Sequence, residues 1–181
     1  MDIVVAQAIG IVAMMFNIFS YQQKNAKRII AFQLFGGLFF AINYLLLDAP
    51  IGMILNIIGF VRAILFLKKE KLHTDSIGWL LVFTAAYLGA YVLNFTVFGR
   101  ESSLRNLLVE CLPVIGMLGT HLAFRHNSPK TIRRFCIISS VSWLIFNIVE
   151  FAIGAILCEV FSLVSIVIAM VKFDKVEAKT K

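Results

Sequence analysis

Charge is scarce in this chain. Of its 181 residues only 15% are charged, and just 10 are acidic. A soluble domain of that length needs far more polar surface. Cysteine is scarce as well, with only Cys111, Cys136 and Cys158 present. Three is an odd number, and no CxxC or Cys/His ligand spacing occurs, so neither a disulfide framework nor a zinc site is indicated. All three fall in apolar stretches and read as small packing residues. Also lacking are a glycine-rich phosphate loop, a pair of histidines one helical turn apart and a Ser/His/Asp arrangement. The chain is therefore not read as an enzyme, and no cofactor or metal is implied.

What is abundant is apolar sequence. Hydrophobic residues make up 60% of the chain, and the mean hydropathy is +0.91. Seven stretches approach spanning length: Ile3–Tyr21, Arg28–Leu47, Ala49–Leu67, Ile77–Phe98, Leu104–Phe124, Ile132–Val149 and Ala152–Val171. An α-helix of about 20 residues crosses a hydrocarbon core of roughly 30 Å. Little chain is left between the stretches. Residues 1–181 are expected to form a single all-α integral membrane domain, in contact with the lipid bilayer.

The net charge of +7 is unevenly placed. Lys24, Lys27 and Arg28 lie after the first stretch, and Lys68, Lys69 and Lys71 after the third. Arg125, Lys130, Arg133 and Arg134 lie after the fifth, and Lys172, Lys175, Lys179 and Lys181 at the end. These 14 basic residues face only Arg100 and Arg105 at the opposite helix ends. The positive-inside rule then puts the N-terminus outside and the C-terminus in the cytoplasm. Short basic loops flanking spans are a poor nucleic-acid surface, so no nucleic-acid partner is expected. Met1–Tyr21 has Asp2 where a signal peptide has a basic region, and reads as a retained first helix.

A pattern also occurs twice, 103 residues apart, without a gap. Lys27, Ile29 and Phe32 recur as Lys130, Ile132 and Phe135. Phe40 and Asn56 recur in kind as Trp143 and Glu159, and Gln7, Gln22 and Asn56 align with Glu110, Arg125 and Glu159. Residues 3–67 form the first unit, 104–171 the second, and the helix over 77–98 has no counterpart. Two three-helix units joined directly would be inverted relative to each other. One linker helix makes them parallel, and both basic loops then fall on the same side. The expected architecture is two parallel three-helix bundles joined by a linker helix, in a 3+1+3 order.

That arrangement resembles the SWEET sugar transporters and the wider PQ-loop and PnuC-like vitamin transporter group. The pairs Phe40 with Asn56 and Trp143 with Glu159 look like the aromatic and Asn that flank the central site in SWEET half-bundles. Two departures stand out. The Pro-Gln dipeptide of the PQ-loop pattern is Tyr21-Gln22 here, and the second third-helix Asn is Glu159. More closely, Tyr21-Gln22-Gln23-Lys24-Asn25 and the stretch from Trp143 through Asn147 and Gly154 to Glu159 resemble the YgjV-type bacterial inner-membrane protein family. This implies a multi-pass protein of the bacterial cytoplasmic membrane and leaves its activity open.

Several polar residues inside the spans are candidates for a site. Glu159 lies about 10 Å below one end of the last helix at 1.5 Å per residue. A carboxylate near a bilayer midplane costs at least ~2.5 kcal/mol. It is read either as a substrate-contacting or proton-binding group, or as a structural hydrogen-bonding group. Asn56, its counterpart, is read as facing the same cavity or as interhelical glue. Trp143 and Phe40 offer flat apolar walls, or else simple packing. Glu110 and His121 are 11 residues apart, within about 20° of one helix face. They form a candidate proton path, or two unrelated interfacial residues. Gln7 belongs to an outer vestibule. Asn43 and Asn147, 104 apart and so near-counterparts, line the outer mouth or cap helix ends. Arg62 is read as snorkelling to the nearby interface or as pairing with an anionic group. Gly36-Gly37 and Ser139-Ser140 mark closely packed faces, and Pro113 a bend.

The expected function is transport of a small polar metabolite by alternating access, with Glu159 making proton coupling plausible. The alternatives on the same fold are a non-transporting receptor and a structural membrane protein. Both halves lie in one chain, so a monomer suffices, and a homo-oligomer is left open.

Overall fold

The computed structural model describes residues 3–47, 50–149 and 153–174. Eight α-helices occur there: α1 (Ile3–Tyr21), α2 (Ala26–Leu46), α3 (Pro50–Leu67), α4 (Lys69–Leu72), α5 (Ile77–Thr96), α6 (Leu104–Arg125), α7 (Pro129–Val149) and α8 (Ile153–Ala169). A π-helical turn, Met170–Asp174, continues α8. Among the described residues, seven helices are long and apolar enough to cross a membrane. Helices suit that solvent because every internal backbone N–H and C=O pairs within its own segment. Large apolar side chains such as Val4, Ile77, Leu81 and Leu108 point outward, as a lipid-facing surface requires.

The helix ends are set by caps that hydropathy does not register. Asn25 accepts hydrogen bonds from the backbone N–H groups of Lys27 and Arg28, so α2 starts two residues before its apolar stretch. Ser128 accepts from the Thr131 N–H, and Pro129 occupies the first turn of α7, where its missing N–H costs nothing. Lys130, Arg133 and Arg134 are thereby helical rather than loop residues. The four-residue α4 was not expected. It ends at His73, whose φ of 48° is left-handed, and Trp79 Nε1 donates to the Leu72 carbonyl at 3.2 Å.

α2 packs between α1 and α3, and α7 between α6 and α8. α8 returns against α1, α3 touches α6, and α5 bridges α3 and α6. α2 and α7 start 103 residues apart. The loops after α1, α3 and α6 lie at one end with the π-helical turn, here termed the basic end.

That end is tightly closed. Tyr21, Ile29, Ile30, Phe66, Phe124, Ile132 and Ile166 form one buried apolar cluster. Arg133, one of the basic residues counted above as a topology signal, is only 1% exposed. Its Nε donates to Tyr21 O at 3.0 Å and its Nη2 to Gln23 O at 2.7 Å, and Nη1 pairs with Asp174. Gln22 Nε2 donates to Ser165 O and Oγ, both at 2.8 Å, which ties the end of α1 to α8. Lys69 Nζ donates to Phe124 O and Arg125 O, the last carbonyls of α6. Burial pulls the Lys69 ammonium below the usual lysine range, with Asp75 and Glu70 opposing that shift.

Candidate functional site

The other end of the bundle is open. A cavity of about 850 Å³ is lined by α1, α2, α3, α6, α7 and α8, by Asn94 of α5 and by the α5–α6 connection. Beneath it lies a smaller chamber of about 110 Å³. Phe40, Tyr44, Trp143, Asn147, Ala155 and Cys158 line both, so the aromatic rings of α2 and α7 stand at the junction. Phe40 and Tyr44 are one helical turn apart, with ring centroids at 6.2 Å. Trp143 lies against Gly116, where a Cβ would come within 2.7 Å of the indole. Only glycine lets α6 approach that ring so closely.

The rim of the large cavity is polar. Gln7 lines it from α1. Asn43 is buried and donates to Ala6 O at 2.7 Å, clamping α2 to α1. Glu110 is 5% exposed and pairs with Arg100 at 3.0 Å, which ties the α5–α6 connection to α6. Gly99, at φ +70°, supplies the turn that brings Arg100 back.

The chamber is richer in polar groups than its size suggests. Glu159 lines it together with Ser140, whose hydroxyl lies beside its carboxyl. Asn56 also lines it and donates to its own helix at Gly52 O, 2.8 Å. Thr120 donates to Ser139 Oγ at 2.9 Å. Gln33 reaches across from α2, with Nε2 3.9 Å from Cys136 Sγ on α7. Arg62 does not snorkel. It is 5% exposed, and Nη1 donates to Tyr87 Oη at 2.9 Å and to Met117 O at 2.8 Å. Those acceptors on α5 and α6 satisfy the guanidinium inside the bundle, so it faces the chamber rather than the interface.

Phe40, Asn56, Trp143, Asn147 and Glu159 thus meet at the chamber, and Gln7, Asn43 and Glu110 at the large cavity. His121 is not brought to either. Its ring is fully buried between Phe66 and Phe83, at 5.1 and 5.2 Å, and neither nitrogen has a hydrogen-bond partner among the described residues. The stripe shared with Glu110 on α6 therefore does not continue as a polar path. Three residues escaped the sequence reading. Tyr44 is the strict 103-residue counterpart of Asn147 and was hidden by comparing Asn147 with Asn43. Ser140, noted only as a small packing residue, touches Glu159. Asp174, an acid among the basic residues of the tail, partners Arg133.

Seven apolar helices around a polar interior define a polytopic membrane protein with an internal cavity. The chain belongs to the Imp-YgjV family, described as a bacterial inner membrane protein, whose model matches residues 4–177. It is accordingly a multi-pass protein of the bacterial inner membrane. No curated protein and no solved structure matches it.

Proposed function

We propose that the protein transports a small polar metabolite by alternating access between two parallel three-helix units, α1–α3 and α6–α8, with α5 as the linker. One observation carries the reading. Seven pairs of chamber-lining residues are 103 positions apart: Asn17 and Thr120, Tyr21 and Phe124, Gly37 and Ser140, Phe40 and Trp143, Tyr44 and Asn147, Asn56 and Glu159, Gly59 and Ser162. Residues that are equivalent in two copies meet around one chamber when the copies are related by an axis through it. Parallel repeats with a site at their interface are an established transporter design. It is the layout of the SWEET, PQ-loop and PnuC-like group.

With the N-terminus outside, the large cavity faces outward and the basic end seals the cytoplasmic side. Rocking of the two units would break the basic-end cluster and close the aromatic junction. Glu159 is the coupling group, because among the described residues it is the one acidic side chain lining the chamber.

The test begins with a thermal-shift screen of purified protein against sugars, amino acids, nucleosides and vitamins, followed by liposome flux with each hit. Glu159→Gln is expected to stay folded and to abolish or uncouple uptake. Unchanged transport by that variant across pH 5–8 would remove Glu159 from the mechanism. Ligand binding without any flux would make the protein a receptor.

A further inference from the structure

The chamber holds two ionisable side chains, one basic and one acidic, that do not pair with each other. Arg62 enters from α3 and Glu159 from α8. Among the described residues, neither takes part in an ion pair. The partners of Arg62 Nη1 are neutral, a phenol and a backbone carbonyl, and its Nε has no hydrogen-bond partner. Its Nη2 reaches back to within 3.9 Å of the position a Cβ on Gly59 would take, and Gly59 itself lines the chamber. The neighbour of the Glu159 carboxyl is the Ser140 hydroxyl, which is also neutral.

Each uncompensated buried charge costs several kcal/mol. A lone cation entering the chamber meets Arg62, and a lone anion meets Glu159. A ligand carrying one charge of each sign offsets both and adds no net charge. The amides of Asn17, Gln33 and Asn56 complete a lining suited to a short polar skeleton. A cavity of about 150 Å³ holds the six heavy atoms of benzene, so the 110 Å³ here fits about four or five. A longer side chain would extend between Phe40 and Trp143 into the large cavity. Resting on the transport reading above, we infer that the chamber takes a small zwitterion of the α-amino-acid class, carboxylate toward Arg62 and ammonium toward Glu159.

The experiment is calorimetric titration of the purified full chain with glycine, L-alanine and L-serine, and with propionate and ethylamine. The last two each lack one charge. At least one amino acid is expected to bind, and both single-charge analogues to bind at least tenfold more weakly. In Glu159→Gln, amino-acid affinity should fall at least tenfold, while propionate comes within a few-fold of it. Arg62→Gln should show the converse preference for ethylamine, and if that variant does not fold, the Glu159→Gln crossover alone decides. The inference is overturned if no amino acid binds, or if propionate or ethylamine binds wild type as tightly. Flux separates this from the parent reading. Amino-acid binding without uptake sinks transport and leaves the zwitterion site. Uptake of an uncharged solute without amino-acid binding does the reverse.

Discussion

Asp174 neutralises Arg133 in a part of the basic end where neither side chain is more than 7% exposed. The same guanidinium donates to the carbonyls of Tyr21 and Gln23. One residue therefore joins α7, the end of α1 and the turn after α8, directly below a chamber that Tyr21 also lines.

Asp174→Asn should accordingly loosen that end. It removes the carboxylate and leaves the cation buried, a change that costs about 3 kcal/mol in soluble proteins. The expected readouts are a melting temperature several degrees lower in detergent and faster maleimide labelling of Cys136, which sits in the adjoining cluster. Unchanged melting and unchanged labelling would mean that the pair does not hold the end shut.

Gly116→Ala should disturb the aromatic junction selectively. The new Cβ would stand 2.7 Å from Trp143 Cδ1, 2.8 Å from Nε1 and 3.3 Å from the Ser139 carbonyl. The backbone cannot yield easily, so the indole must turn. The counterpart of Gly116 in the first unit is Ala13, and that of Trp143 is the smaller Phe40. In a Trp79→Phe background the fluorescence of Trp143 should shift, and ligand affinity should fall about tenfold, the effect of roughly 1.4 kcal/mol. An unshifted spectrum would show that the ring moves without cost.

The seven spans were legible because length and hydropathy alone specify a bilayer crossing. Their ends were not, because Asn25, Ser128 and Pro129 act through backbone geometry. Asn56, Glu159, Phe40 and Trp143 could be named because the 103-residue spacing survives at polar and aromatic positions. His121 and Arg62 were each left with two readings for one shared reason. Helix-face arithmetic and distance from a helix end say nothing of which neighbour fills a face. In the fold α5 supplies Phe83 beside His121 and Tyr87 beside Arg62. Phe83 and Tyr87 have no residue 103 positions away, so the spacing could not reveal their contacts. Arg133 was counted with the loop charges because its partner, Asp174, lies 41 residues away in sequence.

Lys69 makes a prediction with a sign in pH. Its ammonium bonds the terminal carbonyls of α6, where the helix dipole is negative. Lys69→Met should lower stability by about 1 kcal/mol. Burial sets its folded pKa below the ordinary lysine value of 10.5, so between those two values the unfolded chain binds more protons. Through that alkaline window wild-type stability gains as pH rises, whereas the Met variant lacks the gain. Melting curves at neutral and alkaline pH check both effects, and parallel curves for the two proteins would contradict the assignment.

The last prediction concerns the motion itself. Gln33 and Cys136 are 103 residues apart and face each other across α2 and α7, with Nε2 3.9 Å from Sγ. Equivalent residues can touch only close to the axis that relates their copies. If the two units rock, these positions must separate whenever the basic end opens. Replacing Gln33 with Cys, in a chain whose Cys111 and Cys158 are Ala, places two thiols at that contact. A short cleavable bifunctional thiol reagent should then bridge α2 and α7 within one chain. Bridging is expected to stop liposome flux while leaving ligand binding through the large cavity intact, and cleavage should restore flux. A single Gln33→Cys chain without reagent controls for the substitution itself. Full flux through a quantitatively bridged protein would mean that the path does not open between α2 and α7, and the rocking mechanism would fall with it.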